Sequence, residues 1–288
     1  MNTTAVLTLC LQLLGDTAAT SPTSPANMGG AIDSTLAPRG PIFIDHDETI
    51  GQGESNVNVL AQTEDMELQT HTGVDLNVRA NTVVVAVSHG ITDRLDASLV
   101  LPIVQELVDV RTTGALVGHT SLTFAGASDL AVRLKYHLLP GLAALLKATF
   151  PTGDPGVGLG SGNYFLSPGL AASEVVGPVQ LNGFTTYNVN LSFPSKSSLS
   201  YGAGAAVLLQ PWLGAAVEFL GESGTGDVDP LVILGTDYSH RHTLALAFGL
   251  RAVLPHGFMV FAAGSYALTH DGLRAGSVFP TIGVGGRF

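Results

Sequence analysis

Residues 126–153, GASDLAVRLKYHLLPGLAALLKATFPTG, decide the fold. From Asp129 the residue types alternate. Asp129, Ala131, Arg133, Lys135 and His137 fall in one phase, and Leu130, Val132, Leu134, Tyr136 and Leu138 in the other. A strand puts residues i and i+2 on one face, so this segment has a polar and an apolar side. Pro140 and Gly141 then supply a tight turn. Residues 142–150 lead back, with Lys147 and Thr149 opposing Leu146, Ala148 and Phe150. The pattern reads as an antiparallel hairpin with one oily face. The competing reading is a helix over 142–149, since Ala, Leu and Lys favour helix.

Working outward, only 12% of the 288 residues are charged, 45% are apolar and 35 are glycine. Mean hydropathy is +0.36. No apolar run reaches the roughly 18 residues that a transmembrane helix requires. An oily chain of alternating segments is the signature of a transmembrane β-barrel, with a soluble β-sandwich or barrel as the alternative. Aromatic residues, at 7%, are few for a barrel with strong interfacial girdles. A net charge of −11 argues against nucleic acid. The single cysteine, Cys10, allows no internal disulfide.

Residues 5–14, AVLTLCLQLL, have the length of a signal-peptide core, with Thr17 and Ala19 suited to cleavage after Ala19. The basic n-region is missing, because the first Lys or Arg is Arg39. Residues 1–19 are therefore expected to be a signal peptide of atypical start, and 20–53 a flexible arm rich in Pro, Ser, Thr, Ala and Gly. Asp45, His46, Asp47 and Glu48 suggest a cation site, but with no second cluster at ligand spacing they read as a solvated acidic patch.

From residue 54 to 288 strand-like segments succeed one another, near 55–64, 73–88, 93–104, 127–138, 142–151, 163–176, 180–193, 199–210, 213–222, 238–253, 257–269 and 279–288. Short connections, such as 90–92, 140–141 and 211–212, alternate with mostly longer polar ones at 105–126, 152–162, 223–237 and 270–278. An all-β fold follows: an antiparallel transmembrane barrel of about 12 strands, with short periplasmic turns and longer extracellular loops. A cation at the bilayer midplane costs ~2–4 kcal/mol, so the charged phase of each strand is expected to face the lumen. That phase holds Asp75, Arg79, Asp129, Arg133, Lys135, His137, Lys147, Glu218, Arg241, Arg251 and Arg287, with Asp129 or Glu218 as counter-charges for the cations. Glu64, Asp65, Glu67, Glu106, Asp109, Asp154, Glu222, Asp227, Asp229, Asp237 and Asp271 fall at or near the expected extracellular connections. The last segment, FPTIGVGGRF, alternates and ends on Phe288, a signal of the kind read by the outer-membrane assembly machinery.

Three short motifs occur in order. Residues 90–96, GITDRLD, are followed by 99–102, LVLP; then come 126–130, GASDL, with Lys135-Tyr136, and 150–154, FPTGD. Over residues 54–288 the chain resembles a family of bacterial outer-membrane barrels labelled as transporters of the meta-pathway of phenol degradation. The resemblance implies a passive channel in the bacterial outer membrane for small organic, often aromatic, solutes, with no catalytic residues and no cofactor. The partners expected are outer-membrane lipid, lipopolysaccharide bridged by divalent cations on the acidic connections, and, from the resemblance, a small organic solute. Two other functions compete: a structural barrel whose lumen is plugged by internal ion pairs, and a barrel lipid hydrolase with a Ser nucleophile and a His base. The adjacent pairs Ser88-His89 and Ser239-His240 point to opposite strand faces and cannot form that couple locally. His240 and His242 share a face but lack a third ligand for zinc. Gly156-x-Gly158-x-Gly160 precedes no helix, so it is not a nucleotide cradle.

Overall fold

The computed structural model describes residues 41–69, 74–112, 118–194, 197–224, 242–269, 273–275 and 278–288. The expected signal peptide, residues 20–40 of the arm, Arg241, and Asp227, Asp229, Asp237 and Asp271 lie outside them, as do the Ser239-His240 pair and most of 223–237. Fourteen strand segments follow one another: β1 Ser55–Gln69, β2 Val74–Thr92, β3 Leu95–Thr112, β4 Gly118–Ala127, β5 Leu130–Leu139, β6 Leu142–Phe150, β7 Phe165–Val176, β8 Val179–Asn190, β9 Ser198–Gln210, β10 Leu213–Gly224, β11 His242–Leu254, β12 Phe258–Thr269, β13 Leu273–Ala275 and β14 Phe279–Arg287. All pairings are antiparallel, and β1 pairs with both β2 and β14, which closes the sheet. β4 and β5 share the partner β3, and β13 and β14 share β1. The segments therefore make a closed barrel of 12 strands.

The hairpin that decides the fold is present. Arg133 lies opposite Lys147 and Leu134 opposite Leu146. Residues 142–150 are strand, not helix; pairing on both edges, to β5 and β7, overrides their helical propensity. Gly141 takes φ +82°, a left-handed turn position open to glycine.

Short turns join strands at one end of the barrel: Thr92 to Leu95, Leu139 to Leu142, Val176 to Val179, Gln210 to Leu213 and Leu254 to Phe258. Both ends of the barrel wall meet there, where Ser55 and Phe288 exchange backbone hydrogen bonds of 3.1 and 2.8 Å. The longer connections gather at the other end. One expectation is corrected here. Most of 105–126 is not a loop, because β3 runs on to Thr112 and β4 returns from Gly118.

The outward face carries an apolar band that includes Val83, Leu99, Leu134, Leu146, Phe219, Phe248, Leu250 and Ile282, all exposed. The few aromatic residues mark its two edges. Trp212, Phe258 and Phe288 sit exposed at the turn end; Phe150, Tyr164, Tyr187, Tyr201 and Tyr266 sit exposed towards the loop end. Phe150 and Tyr164 meet edge to face, with centroids 6.4 Å apart. Aromatic rings favour the lipid–water boundary, so placement compensates for scarcity.

β2 and β3 have 19 and 18 residues, against the roughly 9–11 that cross a bilayer. Their alternation inverts along their length. Near the turn end the outward phase is Val83, Val85 and Val87 on β2 and Leu99, Leu101 and Ile103 on β3. Beyond it the same phase reads Arg79 and Asn81, then Gln105, Leu107, Asp109 and Arg111, polar save for Leu107. The inward phase there turns apolar, with Val78, Val108 and Val110 buried. β1 to β4 thus continue past the apolar band as a sheet with a largely polar outer face.

Candidate functional site

Many inward-facing positions on the barrel wall are small. Ala131, Ala143, Ala171, Gly202, Gly204, Ala206, Ala216, Ala245, Ala247 and Gly249 are among them. A barrel of about eight strands is just filled by its own side chains, and a wider one leaves a cavity unless something enters it. Here residues 41–53 enter. The segment leaves the wall at Glu54, and at its base a Cβ on Gly90 would lie 2.1 Å from the Gly51 carbonyl oxygen, so only glycine allows the crossing.

The acidic part of the segment meets the cations of β5. Asp45 forms a buried ion pair with Arg133 through Oδ1 and Nη2. Lys135, fully buried, donates from Nζ to the Glu48 carbonyl at 2.5 Å and to that of His46 at 3.4 Å. Asp47 accepts from the Gly141 backbone N–H at 3.2 Å and from Ser173 Oγ, and lies 3.7 Å from His137 Nδ1. Asp96 of β3 accepts from the Ile50 N–H at 3.1 Å.

The apolar part crosses to the opposite wall. Ile42, Phe43 and Ile44 are at most 1% exposed and pack with Leu60, Val84, Val100, Leu220, Met259 and Phe261. Their backbone needs partners in this dry setting. Glu218 provides them. Its Oε1 accepts from Ile42 N–H, and its Oε2 from Phe43 N–H at 2.8 Å and Ile44 N–H at 3.2 Å. Arg251 donates to the Pro41 carbonyl through Nη2. A Cβ on Gly249 would come within 2.4 Å of Ile42 Cδ1.

Among the residues expected to line the lumen, Arg133, Lys135, Glu218 and Arg251 are buried inside the barrel, and His137 is half-buried beside Asp47. Lys147 stands across from Arg133 on the inward phase of β6. Arg287 pairs with Glu54 at the turn-end rim. Arg79 is corrected: it lies on the outward phase, exposed, in an ion pair with Asp65 at 2.6 Å. The reason is the inversion along β2, which puts polar groups outside once the strand has left the apolar band. The side chain of Asp75 lies outside the described residues. Asp129 is corrected as a counter-charge. Set between β4 and β5, it accepts from Gly153 N–H at 3.0 Å, Ser161 N–H at 2.8 Å and Ser161 Oγ at 2.7 Å, tying down the connection after β6.

The solvated patch at 45–48 is corrected too. Asp45, His46 and Asp47 are buried, and Glu48 alone is exposed, because the cationic face of β5 draws the cluster inward. The described part of the arm is thereby packed into the barrel. Of the acidic groups assigned to connections, Glu64, Asp65, Glu67, Asp109, Glu106 and Glu222 lie on strands instead, the last two buried. The side chain of Glu67 lies outside the described residues, and Asp154 does stand in a connection, capping a short 3-10 turn at Gly156. Sequence reasoning missed the partner of Arg133. The signal was there: an apolar Ile42-Phe43-Ile44 followed by acids, opposite in sign to Arg133, Lys135 and His137.

A Ser–His contact does occur, Ser55 Oγ to His89 Nδ1 at 2.9 Å, on the exposed turn-end rim. Among the described residues no carboxylate or amide completes it, and no group of His, Cys, Asp and Glu is placed to hold a metal.

No protein-family model and no curated protein matches the chain. Solved structures do. An outer membrane channel from Pseudomonas putida F1 superposes with a TM-score of 0.60 at 15% identity, over 84% of this chain and 98% of that one. The KdgM porin gives 0.48 at 7% identity, over 81% and 99%. The CymD monoaromatic hydrocarbon channel gives 0.47 at 10% identity, over 83% and 89%. At these identities the likeness is one of fold: the chain is built as a 12-stranded barrel of the outer-membrane type.

Proposed function

We propose that the protein is a channel of the bacterial outer membrane for small organic solutes, aromatic ones among them, and that residues 41–53 are its lumenal stopper. One observation carries the reading. Residues 41–53 fill space in the lumen that many small wall residues leave, packing there with the larger wall side chains Leu60, Leu220, Met259 and Phe261. A barrel built only as a structural shell needs no such cavity. The motifs GITDRLD, GASDL and FPTGD support the aromatic-solute reading through the family they resemble. The charged wall groups Arg133, Lys135 and Arg251 line the cavity once the stopper has left, and suit anionic or polarisable solutes.

A second reading has an observation in its favour. The stopper is held by a buried ion pair and by backbone bonds to Glu218, so a permanently closed structural barrel also fits. Reconstitution separates the two. Liposomes carrying the full chain and a variant lacking residues 41–49 are compared for uptake of small aromatic carboxylates. Under the channel reading the deletion raises flux strongly, and the full chain shows a smaller flux above empty liposomes. No flux through either protein leaves the structural barrel.

A further inference from the structure

The sheet that continues past the apolar band has two edges, and they are finished differently. On one side β13 pairs with residues 66–68 of β1. On the other, β4 pairs with β3 and, among the described residues, with nothing else. β6 and β7 stop lower, where Leu130 faces Phe150 and Thr149 faces Phe165. The connection between them meets β4 at Gly126, where a Cβ would lie 2.9 Å from Leu159 Cδ1. Residues 119–125 stand beyond that contact, roughly 20 Å of edge at about 3.4 Å per residue. The direction of the free backbone groups follows from one bond. Ser128 N–H donates to the Pro102 carbonyl at 2.9 Å, in line with the register of β3 and β4. Bonded pairs recur every second residue in an antiparallel ladder, so the even-numbered residues of β4 bond β3. His119, Ser121, Thr123 and Ala125 therefore turn N–H and C=O to the open edge, and all four are exposed on the outer face. Leu122 and Phe124 lie half-buried on the inner face. Side chains anchor the strand to β3: Ser121 Oγ donates to Asp109 Oδ1, and His119 Nε2 lies 3.6 Å from the same oxygen.

Open strand edges invite pairing, and natural ones are blunted by Lys, Pro, a bulge or an inward charge. β4, GHTSLTFAGA, has no Lys, Pro, Asp or Glu, and its register with β3 runs without a shift. A row of alternating donors and acceptors is matched by another extended polypeptide backbone. A second copy of this chain fits badly. The two-fold that keeps two barrels the same way up runs along the membrane normal. It would set the two β4 strands parallel, outer face beside inner face, in the weaker of the two ladders. We infer that the edge of β4 binds an extended segment of a separate protein, antiparallel to it. Polar residues of that segment bond to His119, Ser121, Thr123 and Ala125, and apolar residues between them lie beside Leu122 and Phe124. The backbone supplies affinity and the alternation supplies selectivity. The site does not depend on what the lumen conducts.

The test is binding of labelled peptides to the full chain in lipid nanodiscs, followed by fluorescence anisotropy with empty nanodiscs subtracted. The probe is nine residues of alternating Thr and Val with two lysines at each end. One form is N-methylated at its valines and keeps the backbone N–H groups of its threonines; the other is N-methylated at its threonines. With valines beside Leu122 and Phe124, the threonines face the edge. The valine-methylated form is expected to bind saturably. The threonine-methylated form is expected to bind at least on the order of tenfold more weakly, because it loses several backbone hydrogen bonds. Thr123→Pro removes an edge N–H without removing a bond to β3, and is expected to weaken the first form by a similar factor. Equal binding of the two forms, or saturable binding of neither, overturns the inference. Should Thr123→Pro fail to fold, the two forms compared on the natural chain decide alone. Pairs of full chains in lipid vesicles that Thr123→Pro separates would overturn the separate partner in favour of a second copy. None of these outcomes reads flux, so the channel reading stands or falls apart from them.

Discussion

Glu218 and Arg133 do different work although both were expected to line a path. Glu218 is an acceptor for the backbone of Ile42, Phe43 and Ile44, and Arg133 is the counter-charge of Asp45. Their inward direction was legible, because a charge in an alternating strand has a cheap face and an expensive one. Their partners were not, because a segment outside the strands obeys no alternation, and its contacts with Arg133 and Glu218 span 88 and 175 residues of the chain. Glu218→Ala leaves three buried N–H groups unpaired, each at a cost of about 1–3 kcal/mol. The expected outcome is a loosened stopper in an intact barrel. In a Cys10→Ser background, a cysteine placed at Phe43 should react with a water-soluble maleimide at least roughly tenfold faster once Glu218 is replaced, since about 1.4 kcal/mol already shifts an opening equilibrium tenfold. An unchanged labelling rate means that Glu218 does not hold the segment. Arg133→Leu should act in the same direction through Asp45, which would be left buried and unpaired.

At the scale of elements, β5 and β6 follow the simple rule and β2 and β3 break it halfway. For β5 the sequence alternation and the observed faces agree: Arg133 and Lys135 are buried, and Leu134 and Tyr136 are exposed. Leu134→Arg should therefore impair membrane assembly far more than Arg133→Leu, by the ~2–4 kcal/mol of a midplane cation. The fraction of folded barrel formed in lipid vesicles measures it. For β2, reading Asp75 to Asn81 with the same rule assigned Arg79 to the wrong face, because the outer face changes from apolar to polar along the strand. The same inversion made 105–126 look like a loop. It also yields a depth profile. Outward arginine substitutions on β3 should cost ~2–4 kcal/mol at Leu101 and about 0–1 kcal/mol at Gln105. Chemical unfolding in lipid gives the two values; equal costs would mean that the apolar band does not end between these positions.

For the whole molecule, closure, strand count and the alternation of short turns with longer connections were readable because each is a repeated local pattern. The filled lumen was not, since it depends on a complementarity between the chain's start and a distant wall. That complementarity makes a last prediction. The wall of the turn-end half carries Arg133, Lys135, Lys147 and Arg251 against Glu218 and Asp96, while the stopper brings Asp45, Asp47 and Glu48. With the stopper in place these four cations face five carboxylates, and the full chain should conduct little and discriminate weakly between ions. Removing residues 41–49 strips the acids and leaves the cations facing water. In planar bilayers that variant should conduct more and prefer chloride over potassium, read as a shift in reversal potential across a salt gradient, because rings of lumenal cations select anions. Adding Arg133→Glu and Lys135→Glu to the deletion should turn the preference towards potassium at similar conductance. The salt dependence supplies a control: selectivity set by exposed wall charges should fade as ionic strength rises and the screening length falls to about 3 Å at 1 M. A deletion variant that conducts without preferring either ion, before and after the charge reversal, would place those side chains away from the path and leave the stopper a purely steric device.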